Sequence, residues 1–524
     1  MKTIVATLVA VLFGALVTAQ TPRPRSGQAA RRAEDVNRRG DDGSTPLQWA
    51  VYKGDVAEVR RLIRAGADVS IANDYVATPM TLASEVGDAT ILKLLLEAGA
   101  NADSPNPEGQ TALMAVARTG NVAAADVLLK AGATVDAREK WGGQTALMWA
   151  SARRHPEMMQ ALIAKGANVN ARSIDRDYQR HVTAEGRPKN LDSGGLTPLL
   201  YAARENCVAC VDVLLKNKAD IDLPDPDGVS PLLLAIMNAN WDLAKQLIVA
   251  GADVNQWDIF GEAPLIMAVD QRNRIDGGRA SIDPINTTKG LDIVTLLLEH
   301  GADPNMQLFF KPAHVRGGGV GDVRSGGATT FTRGSTALIR AAANADLEVV
   351  KLLLAHKADA TLCMADRQTP IHAVIAGRAT ERQAIDLIKI LQKAGTDVNV
   401  VALIVHQEEI RGGTALHYAV RKRQKDVIKL LASFGIDMNA VDQDGLTALD
   451  YTQSRGFMPF MALQTPVFKE EAQLLRELGA TKMLARSPEW PVLGPPQGIW
   501  ADIFPLGESS VHDPVYKHAP ISGP

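Results

Sequence analysis

Cys207 and Cys210 stand three residues apart in Cys207-Val208-Ala209-Cys210, a spacing that offers covalent chemistry. On a helix, residues three apart have α-carbons about 5 Å from each other, inside disulfide reach. A local disulfide and two buried thiols both fit that spacing. Redox catalysis fits less well, because the context of thioredoxin-type pairs is missing. Haem attachment needs a His after the second Cys, and Val211 holds that place. Cys363 has no evident partner.

The other chemistry-bearing residue types yield less. Asp225-Pro226-Asp227-Gly228 and Asp442-Gln443-Asp444-Gly445 resemble pieces of a calcium loop. Leu223 and Ala440 stand where the earlier Asp belongs, and Asp-Gly is ordinary turn chemistry. The chain has no G-x-x-x-x-G-K-[ST] phosphate loop, no G-x-S-x-G elbow and no H-E-x-x-H zinc helix. Of the histidines, His181 and His314 are the two open to a site. No catalytic residue, metal site or cofactor is expected. The sequon Asn286-Thr287-Thr288 matters only where exported proteins are glycosylated.

The elements that would position such residues recur. The pattern T-x-L-x-x-A, or a close variant, opens at Thr45, Thr78, Thr111, Thr145, Thr197, Ser230, Ala263, Thr336, Thr369, Thr414 and Thr447. The gaps are 33, 33, 34, 52, 33, 33, 73, 33, 45 and 33 residues. Each opening predicts a short helix: the Thr hydroxyl caps it, and Pro46, Pro79, Pro198, Pro231 and Pro370 suit its first position. A second helix follows, rich in Leu, as in Leu94-Leu95-Leu96 and Leu352-Leu353-Leu354. It stops at Gly in nine of eleven repeats, with Lys218 and Lys357 in the other two, where local strain or another cap is expected. Gly also stands two residues before the opening in nine repeats, with Val76 and Arg367 as the exceptions.

A fixed period near 33 with the T-P-L-H-x-A signature resembles the ankyrin-repeat superfamily, over roughly residues 41–481. The resemblance implies an all-α solenoid of about eleven stacked repeats, each a helix-turn-helix with a β-turn finger. Stacked helices share one core, because no repeat buries its apolar face alone. Helices about 10 Å apart make a slab on the order of 110 Å long. Close helix contact accounts for abundant Ala and an aromatic content of 5%. His372 and His417 fall where the family places a structural His. The resemblance further implies a protein partner of unknown identity, held by the fingers and the first helices. Its contact positions give Tyr75, Trp141 and Phe260 in the turns, and Tyr52, Arg118, Arg153, Arg204, Asp270 and Arg421 in the helices. Trp141 has an alternative, packing under the adjacent turn. Arg118, Arg153 and Arg204 in successive repeats point to an acidic or carboxylate-bearing partner segment.

The longer gaps place inserts in the outgoing turns at 172–195, 308–334 and 401–412, all on one edge of the solenoid. Candidate residues there are Tyr178 and His181, then Phe309, His314 and Arg316. These inserts support the second functional reading, a small-ligand binder or hydrolase assembled between them. Loops this long are functional or disordered, and the sequence leaves both open.

Residues 1–19 read as an export signal: Lys2, then an apolar stretch from Ile4 to Val17, then Val17-Thr18-Ala19 as the cleavage pattern. Fourteen apolar residues are too few to span a bilayer comfortably, and no later segment is a membrane helix. A periplasmic or secreted monomer is expected, cut near Ala19. Residues 20–44 form a linker and partial cap before the repeats of 45–481. With 56 basic against 59 acidic residues, nothing draws the chain to nucleic acid. The tail, 482–524, interleaves prolines with Trp490, Trp500, Phe504 and Tyr516 and cannot form another repeat. It either packs back on the array or is an extended recognition segment.

Overall fold

The computed structural model describes residues 36–175, 194–258, 261–273, 286–308, 334–403, 412–443, 445–452 and 468–483. Among them are α-helices in pairs. The first four repeats give α1 (Pro46–Tyr52) and α2 (Val56–Arg64), α3 (Pro79–Val86) and α4 (Ala89–Glu97), α5 (Ala112–Thr119) and α6 (Val122–Lys130), α7 (Ala146–Ala152) and α8 (Pro156–Ile163). The next three give α9 (Pro198–Arg204) and α10 (Val208–Lys216), α11 (Pro231–Met237) and α12 (Trp241–Val249), α13 (Pro264–Arg272) and α14 (Gly290–Glu299). Three more pairs follow: α15 (Ala337–Ala343) with α16 (Leu347–Ala355), α17 (Pro370–Ala376) with α18 (Glu381–Lys393), and α19 (Ala415–Arg421) with α20 (Lys425–Ser433). The eleventh opening yields a single 3₁₀ turn, Asp450–Thr452, before α21 (Lys469–Glu477). First helices pack on first helices of the neighbouring repeats and second helices on second helices.

The openings cap their helices as the hydroxyls allow. Thr78, Thr197, Ser230 and Thr336 each accept the backbone N–H of the third helical residue at 3.2 Å. Ala263 has no hydroxyl, and α13 has no side-chain cap. One apolar core runs through the array, with Leu62, Leu95, Leu128, Leu162, Leu214, Leu247, Leu297, Leu353, Leu391 and Leu431 buried from successive second helices.

Lys218 and Lys357 take the left-handed backbone, at φ 64° and 68°, that Gly66 and Gly99 take elsewhere. Strain, not another cap, is the outcome there. No atom lies within 4 Å of where a Cβ would stand at Gly66 or Gly99, so the cost of a side chain is the backbone's own, about 1–2 kcal/mol. Val76 and Arg367 adopt the same conformation in the finger turns, at φ 62° and 63°.

Two further devices lock repeat to repeat. Side chains of Asn37, Asp103, Asp222, Asn255 and Asn399 each accept a backbone N–H from the next repeat, at 2.8 Å in every case. Adjacent fingers are joined through their backbones: Lys140 N donates to Glu108 O at 2.8 Å, and Ile174 N to Gly142 O at 2.7 Å. The turn inserts begin and end on paired rungs. Asp175 bridges Gly194, Ala402 bridges Gly413, and Leu308 exchanges bonds with Gly334 and Ser335 at 2.8 and 3.0 Å. The array's spacing therefore continues past each insert.

Candidate functional site

The finger turns and first helices of the first five repeats carry the largest concentration of exposed aromatic and cationic side chains predicted as partner contacts. Tyr52, at the end of α1, is 46% exposed and meets Trp49 edge-on at 6.1 Å between ring centroids. Tyr75 sits on the second finger and is 50% exposed. Trp141, on the fourth, is 74% exposed, so it does not pack under the adjacent turn. Its backbone is fixed, because Glu139 accepts the N–H groups of Trp141 and Gly142, both at 2.6 Å. The buried Glu139 thus presents the indole from a rigid turn.

Between the second and third repeats, fingers and first helices enclose a depression of about 240 Å³. Tyr75, Leu82, Glu85, Glu108 and Ala115 are among its lining residues. Of the three arginines predicted as contacts in the first five repeats, two are engaged in exposed pairs. Arg118 meets Glu85 at 2.6 Å, and Arg204 meets Glu205 at 3.0 Å while lying over the Tyr201 ring. Exposed pairs of this kind are worth about 0–1 kcal/mol, so an incoming carboxylate can exchange into them. Arg153, at the end of α7, is exposed and forms no ion pair among the described residues.

Asp270 is placed differently from the groove contact expected of it. Its carboxylate forms an ion pair with Arg340 of α15, which is buried, and Glu262 Oε1 lies 4.0 Å from the same guanidinium. The pair spends Asp270 on holding repeat seven to repeat eight. Burial pushes the Glu262 carboxyl up despite the pull of Arg340, and burial pushes Arg340 down. Arg421, at the end of α19, is half-buried. Sequence reasoning missed this cluster: Arg340 occupies a helix position held by Leu82, Ala115 and Leu234 in other repeats. Phe260, Tyr178, His181, Phe309, His314 and Arg316 lie outside the described residues.

The remaining chemical candidates have structural duties. His372 Nδ1 accepts the Thr369 N–H at 3.2 Å, so Nε2 carries the proton and donates to Gly413 O at 3.1 Å. Burial holds the ring neutral, with a pKa of about 4. His417 repeats the arrangement, with Nδ1 on Thr414 N–H at 3.1 Å and Nε2 on Leu446 O at 3.0 Å. Asp225 and Asp442 close their own turns, accepting Val229 N–H and Leu446 N–H at 2.8 Å. No group of three or more His, Cys, Asp or Glu among the described residues is arranged to hold a metal. In the sequon, Asn286 Nδ2 donates to Ala239 O at 2.9 Å, so the amide that a glycan would need is already in use. Burial pushes the neighbouring Asp242 carboxyl up, but hydrogen bonds from Thr288 and Thr287 overcome this and hold it at about 2. Cys207 and Cys210 are joined as a disulfide, with α-carbons 5.2 Å apart.

The chain belongs to the ankyrin-repeat family. The family model "Ankyrin repeats (3 copies)" matches residues 25–106, 80–173, 199–308 and 377–457, and the single "Ankyrin repeat" matches 333–365. Among curated proteins, it is 24% identical over 339 residues to the E3 ubiquitin-protein ligase KEG of Arabidopsis thaliana, covering 60% of this chain and 18% of that one. It is 31% identical over 134 residues to the nuclear factor NF-kappa-B p105 subunit of Gallus gallus, covering 25% of this chain and 12% of that one. This chain thus spans less than a fifth of either relative. Similar solved structures include the ankyrin repeat domain of Bcl-3, at TM-score 0.37 and 26% identity over 43% of this chain and 95% of that one. The human ASB11 ankyrin repeat domain gives 0.38 and 23% over 50% and 100%. Among the described residues no helix is long and apolar enough to cross a membrane.

Proposed function

We propose that this chain is an exported, non-enzymatic ankyrin scaffold, with the groove between fingers and first helices of repeats one to five gripping a carboxylate-bearing segment of one protein partner. The supporting observation is the indole of Trp141, largely exposed on a turn whose backbone Glu139 holds rigid. Rigid aromatics bury large area with little rotamer entropy lost, which is why Trp, Tyr and Arg dominate interface energetics. Tyr52 and Tyr75 add exposed aromatic rings in the first two repeats, and Arg153 offers an exposed charge in the fourth, the repeat that carries Trp141. The relatives agree with a scaffold at the level of the repeat.

Affinity capture from the envelope of the producing organism tests this reading, with wild type and the Trp141→Ala, Arg153→Ala double variant run side by side. One stoichiometric protein held by wild type and lost from the variant is the expected result. Equal retention by both contradicts the groove. Capture of nothing, with turnover of a screened substrate, supports a site built by the inserts instead. Export is tested on the same material, where the mature chain is expected to start at Gln20.

A further inference from the structure

We propose that the Cys207–Cys210 pair is a reversible thiol–disulfide exchange site that takes two electrons from a dithiol, and not a staple of the fold. Cys207 is the N-cap at the start of α10. Its Sγ accepts the backbone N–H of Cys210 at 3.2 Å. The same cap position is held by Asp55, Asp88 and Asp346 in other repeats, each accepting the equivalent N–H through a carboxylate oxygen. A site that elsewhere holds a full negative charge is therefore occupied here by sulfur. Helix N-termini favour anions and lower the pKa of a cysteine placed there. On reduction, the Cys207 thiolate keeps its donor and continues to cap α10.

The cross-link itself does little for the fold. It closes a loop of sequence separation 3, and so short a loop restricts the unfolded chain little. The repeat's core contacts come from Val211 and Leu214, both fully buried whatever the sulfurs do.

Access is one-sided. A depression of about 370 Å³ is lined by Arg154, Pro156, Asn206, Cys207, Val208 and Asp242. Cys207 lines the depression with 4% of its surface exposed, and Cys210 is fully buried. Of the charges near the pair, Arg154 favours a thiolate. Asp242, held ionised by Thr287 and Thr288, opposes it, as does Asp212 on α10, whose carboxylate accepts from Gln246.

The exchange balances as follows. One thiolate of the incoming dithiol attacks Cys207 Sγ, and the Cys207–Cys210 bond breaks. Cys210 leaves as a thiolate and takes up the proton that the reagent's second thiol gives up. The second thiol of the reagent, having lost its proton, attacks its own sulfur in the mixed disulfide and releases Cys207 as the N-cap thiolate. The dithiol is oxidised to a cyclic disulfide, and the pair gains two electrons.

Dithiothreitol serves as the probe on the full, folded chain, with acid quenching, maleimide labelling and mass counting. The pair is expected to be reduced at pH 7 at least tenfold faster in native protein than in protein unfolded by guanidinium. The reduced protein is expected to keep its melting temperature. With Cys210→Ser, Cys207 is expected to alkylate with a midpoint below the ordinary value of about 8.5. Cys363, half-buried and pushed up by burial, reports the slow background. Reduction that requires unfolding overturns the proposal, as does a large fall in melting temperature on reduction. An ordinary Cys207 midpoint, or two free thiols in air-oxidised protein, overturns it equally. If the Cys210→Ser chain fails to fold, the native reduction rate and the reduced protein's melt decide alone.

Discussion

Arg340 of the eighth repeat and Asp270 of the seventh form an ion pair inside the array, with Glu262 standing 4.0 Å from the same guanidinium. Removing one partner of a buried pair leaves the other charge uncompensated, at about 3–5 kcal/mol. Arg340→Ala is therefore expected to cost that much in urea unfolding. Glu262→Gln is expected to cost far less, because burial already disfavours that carboxylate. Equal costs for the two changes would mean that the pair is not what holds this junction.

Acid sensitivity follows from the histidines. His372 is held at about 4, below its unfolded value of 6.5, by burial first and by the nearby His417 as a smaller effect. A depressed folded pKa means that the unfolded chain binds the proton first. The stability from a neutral His372 is thus fully present above pH 6.5 and is lost as pH falls towards 4, at most roughly 3 kcal/mol. His417 shifts the same way through burial and adds to the fall. Melting temperature followed from pH 8 to 4 is expected to drop mainly in that window. A His372→Gln chain is expected to show a shallower drop.

The two strained lysines give a prediction of opposite sign. Lys218→Gly and Lys357→Gly each relieve a left-handed backbone where Gly is the usual occupant. Relief of about 1–2 kcal/mol less the added freedom of the unfolded chain leaves a gain of about 0.5–1 kcal/mol. Loss of stability in both variants would show that the lysine side chains hold contacts worth more than the strain.

Core truncations are expected to act locally. Leu95→Ala or Leu353→Ala removes a fully buried side chain and is expected to cost about 2–5 kcal/mol. In a near one-dimensional array, hydrogen exchange is expected to rise in the altered repeat and its neighbours. A uniform rise along the chain would contradict that locality.

Much of this was legible because the period repeats. A Thr, a Pro and a Gly at fixed offsets specify a cap, a helix start and a left-handed stop, and Lys218 and Lys357 were visible as exceptions to that rule. The same offsets placed Tyr75 and Trp141 on finger turns, and both lie exposed there. Arg154, Asn206, Ala239, Ala345 and Arg423 are also left-handed, between the helices of their repeats, and of these only Asn206 is of a type that favours that conformation. The Asn and Asp ladder was missed for a related reason: such residues before a turn read as local turn chemistry, while their partners lie a repeat away. Asp270 illustrates the limit for sites. Its offset is that of a contact residue, yet a cation from the next repeat, past a long interruption, claims it.

The groove account stands or falls on the affinity of a purified partner for the Trp141→Ala, Arg153→Ala double variant, read beside the variant's melting temperature. The account predicts binding weakened more than tenfold, about 1.4 kcal/mol, with melting nearly unchanged, since both side chains are exposed. Unchanged affinity against that partner would contradict it and move the binding site to the inserts or the tail.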